Sequence, residues 1–154
     1  IINIMAWFVI HMGVVYMMLR LPAGSFHPSG WLYKERKWEK GGHIYQKVFK
    51  IKKWKKFLPD GAGIFKGRGF PKKELKNKNK KYLLTFQTET CRGELTHWFI
   101  MLFAPLFFLW NPFFVGWIMI VYAAVENLPL IMTQRYNRHR LDRILKRKRP
   151  AEFI

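Results

Sequence analysis

The sequence predicts an all-α integral membrane protein: one N-terminal transmembrane helix, a basic interfacial or cytoplasmic region, and a C-terminal transmembrane helical hairpin. Half of the 154 residues are apolar and 18% are aromatic, yet the formal net charge is +19. The apolar residues are concentrated in two blocks and the charged residues in two others, a layout typical of membrane helices joined by basic loops. We therefore interpret residues 1–154 as a single membrane domain.

The first apolar block, residues 1–19, carries no formal charge and is followed by Arg20. At 1.5 Å per residue it extends over roughly 28 Å, close to the thickness of the hydrocarbon core of a bilayer. A cleaved signal peptide is the alternative, because such a peptide also has an apolar core before small residues. The uninterrupted length and the arginine that ends it favour a retained transmembrane helix over residues 1–21.

Two isolated groups have no obvious chemical partner in the sequence. We expect His11, inside the first helix, to be packed against protein or to face a lumen. Cys91 is the only cysteine, so no intrachain disulfide can form, and an inert thiol is favoured over a nucleophile or a lipidation site. Because the sequence begins at Ile1 and not at a methionine, it leaves open whether further residues precede it.

The basic region, residues 26–90, is interrupted by many glycine and proline residues. Within residues 44–58, apolar side chains recur at steps of four, three and seven, with lysines between them. This pattern predicts a basic amphipathic helix that lies in the headgroup plane, with packing on a soluble core as the alternative. Trp31 and Trp38 are further candidates for anchors at the same level.

A run of lysines at residues 72–81 and the basic tail predict attraction to anionic lipid headgroups or to an acidic soluble partner. No nucleic-acid-binding motif is recognisable, so we expect no nucleic-acid partner. No glycine-rich cofactor loop is evident either. We also expect no metal site, because the five histidines are scattered without ligand-pair spacing. These histidines are His11, His27, His43, His97 and His139.

The second apolar block is divided by Asn111 and Pro112. Proline lacks an amide donor and the residue before it avoids helical geometry, so we predict a hairpin turn here between arms at residues 95–110 and 113–132. A hairpin returns the chain to the side from which it entered, so the basic region and the tail, residues 138–154, share one side. The positive-inside rule makes that side cytoplasmic in a multi-pass protein of the cell membrane.

Ionisable side chains lie at both ends of the hairpin region, residues 92–137, where they usually face a protein interior or a polar cavity. Glu94 and His97 are three residues apart and share a helix face, so the carboxylate can orient the imidazole while the other ring nitrogen takes a proton. Glu126, on the antiparallel arm, is an alternative partner for His97. We predict these three as catalytic residues. The alternative, polar helix ends that simply neutralise each other or headgroups, is favoured for Arg140 and the other arginines of the tail.

The same residues carry a family resemblance. Arg-Gly-Glu-Leu-Thr-His-Trp at 92–98, Glu-Asn-Leu-Pro at 126–129 and Gln-Arg-Tyr-Asn-Arg-His-Arg-Leu at 134–141 resemble the glycosyl-4,4'-diaponeurosporenoate acyltransferase family. Tyr-Lys-Glu-Arg at 33–36, Trp-Lys-Lys at 54–56 and Leu-Pro-Asp-Gly at 58–61 are similar to its basic middle region. The resemblance covers most of the chain from about residue 28 to residue 149.

This resemblance implies a membrane-bound O-acyltransferase of staphyloxanthin-type carotenoid biosynthesis. It would esterify a fatty acyl group onto a sugar hydroxyl of a glycolipid acceptor, a glycosylated C30 carotenoid acid. In that reaction His97 is the predicted base, with Glu94 or Glu126 orienting it. The predicted substrate-binding residues are Arg92, Gln134, Arg135, Asn137 and Arg138. The acyl donor would be acyl-CoA or acyl carrier protein, with no bound cofactor.

Two other classes of function remain open. The chain could be a non-catalytic membrane scaffold or an anionic-lipid-binding subunit of another enzyme, in which case His97 and Glu126 would lie far apart. It could also be a different membrane transferase that uses a soluble cofactor at the cytoplasmic face. The sequence leaves open the acceptor, the donor, the length of the acyl chain and the oligomeric state.

Overall fold

The computed structural model describes residues 1–58, 75, 77 and 79–148, and every regular element within these residues is a helix. The α-helices are α1 (Ile2–Arg20), α2 (His43–Lys47), α3 (Ile51–Trp54), α4 (Lys80–Leu102) and α5 (Phe113–Lys148). Short 3₁₀ segments cover Ala23–Ser25, Lys37–Gly42, Lys55–Phe57 and Ala104–Leu109. The predicted all-α fold class is confirmed.

Among the described residues, two helices are long and apolar enough to cross a membrane, Ile2–Arg20 and Phe113–Arg147. Helix α1 buries only Trp7, Val14 and Met18, and its other large apolar side chains are largely exposed. A helix that presents this much apolar surface outward is suited to a lipid environment. The predicted N-terminal apolar helix is therefore confirmed as a candidate membrane span.

The predicted hairpin turn at Asn111 and Pro112 is confirmed, but its two arms differ from the prediction. The first arm is not one α-helix, because α4 ends at Leu102 and a 3₁₀ segment follows, with Pro105 in its first turn. Proline cannot donate the hydrogen bond that would continue the α-helix. The second arm begins at Phe113 as predicted but continues to Lys148, a length of about 54 Å. It exceeds the hydrocarbon thickness by roughly 24 Å, so its polar half extends beyond any membrane span.

Hydrogen bonds at both ends of α1 establish its direction in the bundle. Asn3 and Asn111 exchange amide hydrogen bonds of 3.0 Å, and Trp110 Nε1 donates to Asn3 Oδ1 at 2.8 Å. At the other end, Arg92 Nη2 donates to the carbonyl of Leu21 at 3.4 Å. Helix α1 is therefore antiparallel to α4 and parallel to α5. Its C-terminal end and the polar half of α5 lie at the same end of the bundle.

The predicted single amphipathic helix at residues 44–58 is wrong. Lys50 has a left-handed backbone with φ of +49°, so the segment is divided into α2 and α3. Tyr45 and Ile51 are 1% and 0% exposed and pack against Tyr136 of α5. Part of the face that we expected in the headgroup plane is therefore packed against protein, whereas Val48 and Phe57 are 59% and 78% exposed. The polar extension of α5 provides the packing surface, and the sequence analysis did not anticipate it.

The aromatic residues predicted as interfacial anchors are exposed. Trp31 and Trp38 are 77% and 55% exposed, and the Arg36 guanidinium lies 4.9 Å from the Trp31 ring centroid. Several positions of the predicted lysine run, 72–74, 76 and 78, lie outside the described residues, as does the end of the tail at 149–154.

Gly116 of α5 packs directly against the 3₁₀ segment Ala104–Leu109. A Cβ atom there would overlap the ring of Phe108. Gly116→Ala is therefore expected to lower the free energy of unfolding by about 1–3 kcal/mol, because the ring must shift. Thermal unfolding in detergent measures this loss. Gly13→Ala is the matched control, since a Cβ there meets nothing within 4 Å. Equal losses in both variants would contradict the close approach.

Candidate functional site

A buried network of charged side chains joins α4, α5 and the 3₁₀ segment Lys37–Gly42. Arg135 donates from Nε to Glu94 Oε1 at 2.7 Å and from Nη1 to Glu39 Oε1 at 3.0 Å. Arg138 Nη2 donates to Glu94 Oε2 at 2.5 Å. Both glutamates are 0% exposed. Two carboxylates and two guanidinium groups compensate each other, which offsets the cost of removing these charges from water.

Glu39 is the member of this network that the sequence analysis missed. Tyr45 Oη donates to its Oε1 at 2.5 Å, and His139 Nε2 lies 3.3 Å from the same oxygen. Burial alone raises the pKa of Glu39, but hydrogen bonds from His139, Tyr45, the Arg36 backbone and Arg135 hold that pKa well below its usual range. Glu39 is therefore ionised at neutral pH. The available signal was a pair of acids, Glu35 and Glu39, four residues apart within a basic stretch.

His97 on α4 faces Asn127 on α5. Its Nδ1 lies 2.9 Å from Asn127 Oδ1, and Asn127 Nδ2 donates to the Ala123 carbonyl at 2.9 Å. A carbonyl oxygen only accepts hydrogen bonds, so the second bond orients the amide with its oxygen toward the imidazole. That oxygen also only accepts, so His97 Nδ1 carries the hydrogen. In the neutral ring the lone pair is then on Nε2, as a general base requires.

The two glutamates that we predicted to orient His97 have other partners. Glu94 binds the two arginines of the network and accepts from Trp98 Nε1 at 3.3 Å. Glu126 Oε1 lies 3.4 Å from His11 Nε2 on α1. Asn127, the residue after Glu126, is in the orienting position instead. His97 therefore contacts α5 at the predicted height, but its partner there is Asn127 and not Glu126.

The His11–Glu126 contact links α1 to α5 inside the apolar zone. His11 Nδ1 lies 2.8 Å from the Trp7 carbonyl, which only accepts, so this nitrogen donates. Pairing an imidazole with a carboxylate lowers the cost of placing either group among apolar side chains. The prediction that His11 is packed against protein is confirmed.

The five predicted substrate-binding residues divide into arginines with acidic partners and amides with remaining hydrogen-bonding capacity. Arg135 and Arg138 belong to the buried network, and Arg92 forms a 2.8 Å ion pair with Glu89. The remaining two are amides. Gln134 is 8% exposed and its Oε1 has no hydrogen-bond partner among the described residues. Asn137 Oδ1 accepts from Lys55 Nζ at 3.3 Å.

These features lie at two depths along α5. Asn127 is about 21 Å along the helix from Phe113, and Arg135 is about 33 Å from it. For a hydrocarbon core of about 30 Å that begins near Phe113, the His97–Asn127 pair lies within the apolar zone. The charged network lies at its polar edge. The chain therefore combines candidate membrane spans with an oriented histidine between helices and a rigid charged support beside it.

In the described residues, the fold and this site define a helical protein with two candidate membrane spans and a candidate acid–base centre between two antiparallel helices. The sequence model of the glycosyl-4,4'-diaponeurosporenoate acyltransferase family matches residues 29–147. The chain belongs to this family and is therefore an acyltransferase, as the resemblance in the sequence predicted. The matched range includes both helices of the site.

Individual relatives support the same assignment. A glycosyl-4,4'-diaponeurosporenoate acyltransferase from Staphylococcus haemolyticus (strain JCSC1435) is 35% identical over 136 residues, 88% of this chain and 78% of the relative. One of the same name from Staphylococcus aureus (strain bovine RF122 / ET3-1) is 33% identical over 147 residues, 94% of this chain and 88% of the relative. No solved structure matches the chain.

Proposed function

We propose that this chain is a membrane-bound O-acyltransferase that esterifies a fatty acyl group onto a sugar hydroxyl of a glycosylated carotenoid acid. Membership of the family supports acyl transfer, and the name of the relatives supports the glycosyl carotenoid acceptor. The observation that carries the proposal is the His97–Asn127 pair, which leaves the basic ring nitrogen on the side away from the amide. An imidazole in that state suits the deprotonation of an attacking hydroxyl.

The proposed reaction uses a thioester donor, either acyl-CoA or acyl carrier protein, and no bound cofactor. The sugar hydroxyl oxygen attacks the acyl carbonyl carbon while its proton passes to His97 Nε2. The tetrahedral oxyanion then collapses, the carbon–sulfur bond breaks, and the leaving thiolate takes the proton from His97. The products are the carotenoid ester and the free thiol, so atoms and charge balance.

The amides on α5 are the proposed contacts for the sugar. Gln134 is seven residues after Asn127, about two turns and 10 Å further along the same helix face. Its buried oxygen without a partner would accept a hydrogen bond from a hydroxyl on the far side of the sugar ring. Apolar side chains toward the hairpin turn, including Phe99 and Phe103, would contact the acyl and polyprenoid chains. The Glu94 network would position α4 against α5.

We also propose a multi-pass protein of the cell membrane in which α1, the first hairpin arm and α5 all cross the bilayer. The residues of that arm in α4 and in the 3₁₀ segment, 95–102 and 104–109, extend over roughly 24 Å. The basic region and the tail would then be cytoplasmic by the positive-inside rule. Exposed Trp31, Trp38 and Phe57, together with neighbouring lysines, support contact with anionic headgroups on that side.

A reconstituted transfer assay tests the proposal. The purified chain in lipid nanodiscs is mixed with palmitoyl-CoA, or with palmitoyl-acyl carrier protein, and a glycosylated carotenoid acid. Mass spectrometry is expected to detect the acceptor with one added acyl group, and no product from the same carotenoid acid without its sugar. Absence of the ester with both donors would favour the non-catalytic scaffold.

A further inference from the structure

Lys55 is a partly buried cation beside the polar half of α5. Its Nζ donates to Asn137 Oδ1 at 3.3 Å and lies 5.4 Å from the ring centroid of Tyr136. Burial lowers the pKa of Lys55, and the positive charges of Arg140 and Lys52 lower it further. Arg140 is three residues after Asn137 on α5, and Lys52 is three residues before Lys55. Three cations from three separate elements, α3, the 3₁₀ segment Lys55–Phe57 and α5, therefore lie close together.

None of these three cations has a carboxylate partner in the part of the chain that the structure describes. Every described acidic side chain is engaged elsewhere. Glu35 accepts from the Gly41 amide, Glu39 and Glu94 belong to the buried network, Glu89 pairs with Arg92, Glu126 contacts His11, and Asp142 accepts from Gln87. The cluster of Lys52, Lys55 and Arg140, which we call the cationic cluster, therefore carries positive charge that no described carboxylate compensates.

The position of Lys55 is set by packing. The neighbouring turn buries Ile51 completely against Tyr136, and Trp54 Nε1 donates to the Phe49 carbonyl at 2.6 Å. Lys53, two residues before Lys55, is exposed. Lys55 has therefore already lost part of its hydration and conformational freedom in the folded chain, which lowers the cost of binding an anion.

We propose that the cationic cluster binds a phosphate ester, and specifically the phosphate group of the acyl donor. This inference rests on the proposed function. Phosphate oxygens accept charge-assisted hydrogen bonds from ammonium and guanidinium groups and would supply the missing negative charge. Asn137 is ten residues beyond Asn127, about 15 Å along α5. A phosphopantetheine arm joins its phosphate to its thioester across a distance of this kind, so a donor held here would present the thioester toward His97.

The phosphate of a lipid headgroup has the same chemistry, so the experiment has two arms. In the first, coenzyme A is titrated calorimetrically into the full chain in phosphatidylcholine nanodiscs. Lys55→Gln and Arg140→Gln are each expected to weaken coenzyme A binding about tenfold, the loss of one hydrogen bond to a charged group. Lys53→Gln is the matched control with the same change of charge, and is expected to change binding less than about twofold.

In the second arm, native mass spectrometry measures the retention of phosphatidylglycerol by the chain from mixed phosphatidylglycerol and phosphatidylcholine. Unchanged retention in Lys55→Gln, together with weaker coenzyme A binding, supports the donor site. Selective loss of phosphatidylglycerol with unchanged coenzyme A binding would overturn the donor assignment in favour of a headgroup. Variants that behave like Lys53→Gln in both arms would overturn the cluster as a phosphate site.

Two further comparisons distinguish failure of the donor site from misfolding of a variant and from failure of the proposed function. Arg140 is exposed, so Arg140→Gln remains informative if Lys55→Gln fails to fold. Coenzyme A binding requires no turnover. A chain that binds coenzyme A through Lys55 but forms no ester would refute the proposed function alone. An active chain in which Lys55→Gln and Lys53→Gln have the same KM for palmitoyl-CoA would refute the donor site alone.

Discussion

His97→Gln is expected to lower kcat for acyl transfer by about 10²–10⁴, the usual contribution of a positioned general base. KM for both substrates should change little, because the imidazole acts on the hydroxyl proton and not on the bound chains. The reconstituted transfer assay measures both constants. His43→Gln is the matched control, since His43 is an exposed histidine of α2 outside the site. A His97→Gln variant with the kcat of the original chain would remove the assignment of His97 as the base.

Asn127 tests the same assignment from the opposite helix. Asn127→Ala removes the acceptor of the His97 Nδ1 hydrogen, so the neutral ring is expected to populate both tautomers. We expect a smaller loss of kcat than in His97→Gln and an altered pH dependence, because the lone pair is no longer held on Nε2. A merely structural role for Asn127 would lower stability and leave the pH profile of the remaining activity unchanged.

The features of the fold that could be predicted from the sequence are those decided within a few residues. Residues 1–19 were predicted as a helix because the block is long, mostly apolar and without formal charge. Pro112 interrupts the helical hydrogen bonds whatever its tertiary neighbours are. The prediction of one amphipathic helix at residues 44–58 was wrong because tertiary packing on α5 determines the local structure there. Tyr45 and Ile51 pack on Tyr136, and the left-handed residue Lys50 allows two short helices to fit that surface. Periodicity alone does not predict such a break.

In the candidate site, too, local features could be predicted from the sequence and tertiary contacts could not. Sequence reasoning identified His97 and the polar residues of α5, because charged side chains beside apolar segments need protein partners. The choice of partner depends on helix rotation, about 100° per residue, and on how three helices pack. A difference of one residue, from Glu126 to Asn127, changes the neighbouring helix from α1 to α4. Glu39 reaches Arg135 across 96 positions of sequence, a contact that no local pattern indicates.

Glu94→Gln is expected to lower the free energy of unfolding by about 3–5 kcal/mol, because it removes the carboxylate that pairs with two buried arginines. Arg135 keeps Glu39 as a partner, whereas Arg138 loses its ion pair inside the protein. Thermal unfolding in detergent measures the loss. Glu35→Gln, at an exposed glutamate, is the matched control and is expected to cost less than about 1 kcal/mol.

A second substitution separates structural from catalytic roles for Glu94. If the uncompensated charge of Arg138 causes the loss, the double variant Glu94→Gln with Arg138→Gln should recover part of the stability. Recovered stability together with recovered kcat would assign Glu94 to positioning of α4 against α5. Full stability of Glu94→Gln with a kcat as low as that of His97→Gln would contradict the network as the support of the fold. It would favour a direct role in proton transfer, because the carboxylate would then act on the reaction and not on the packing of the two helices.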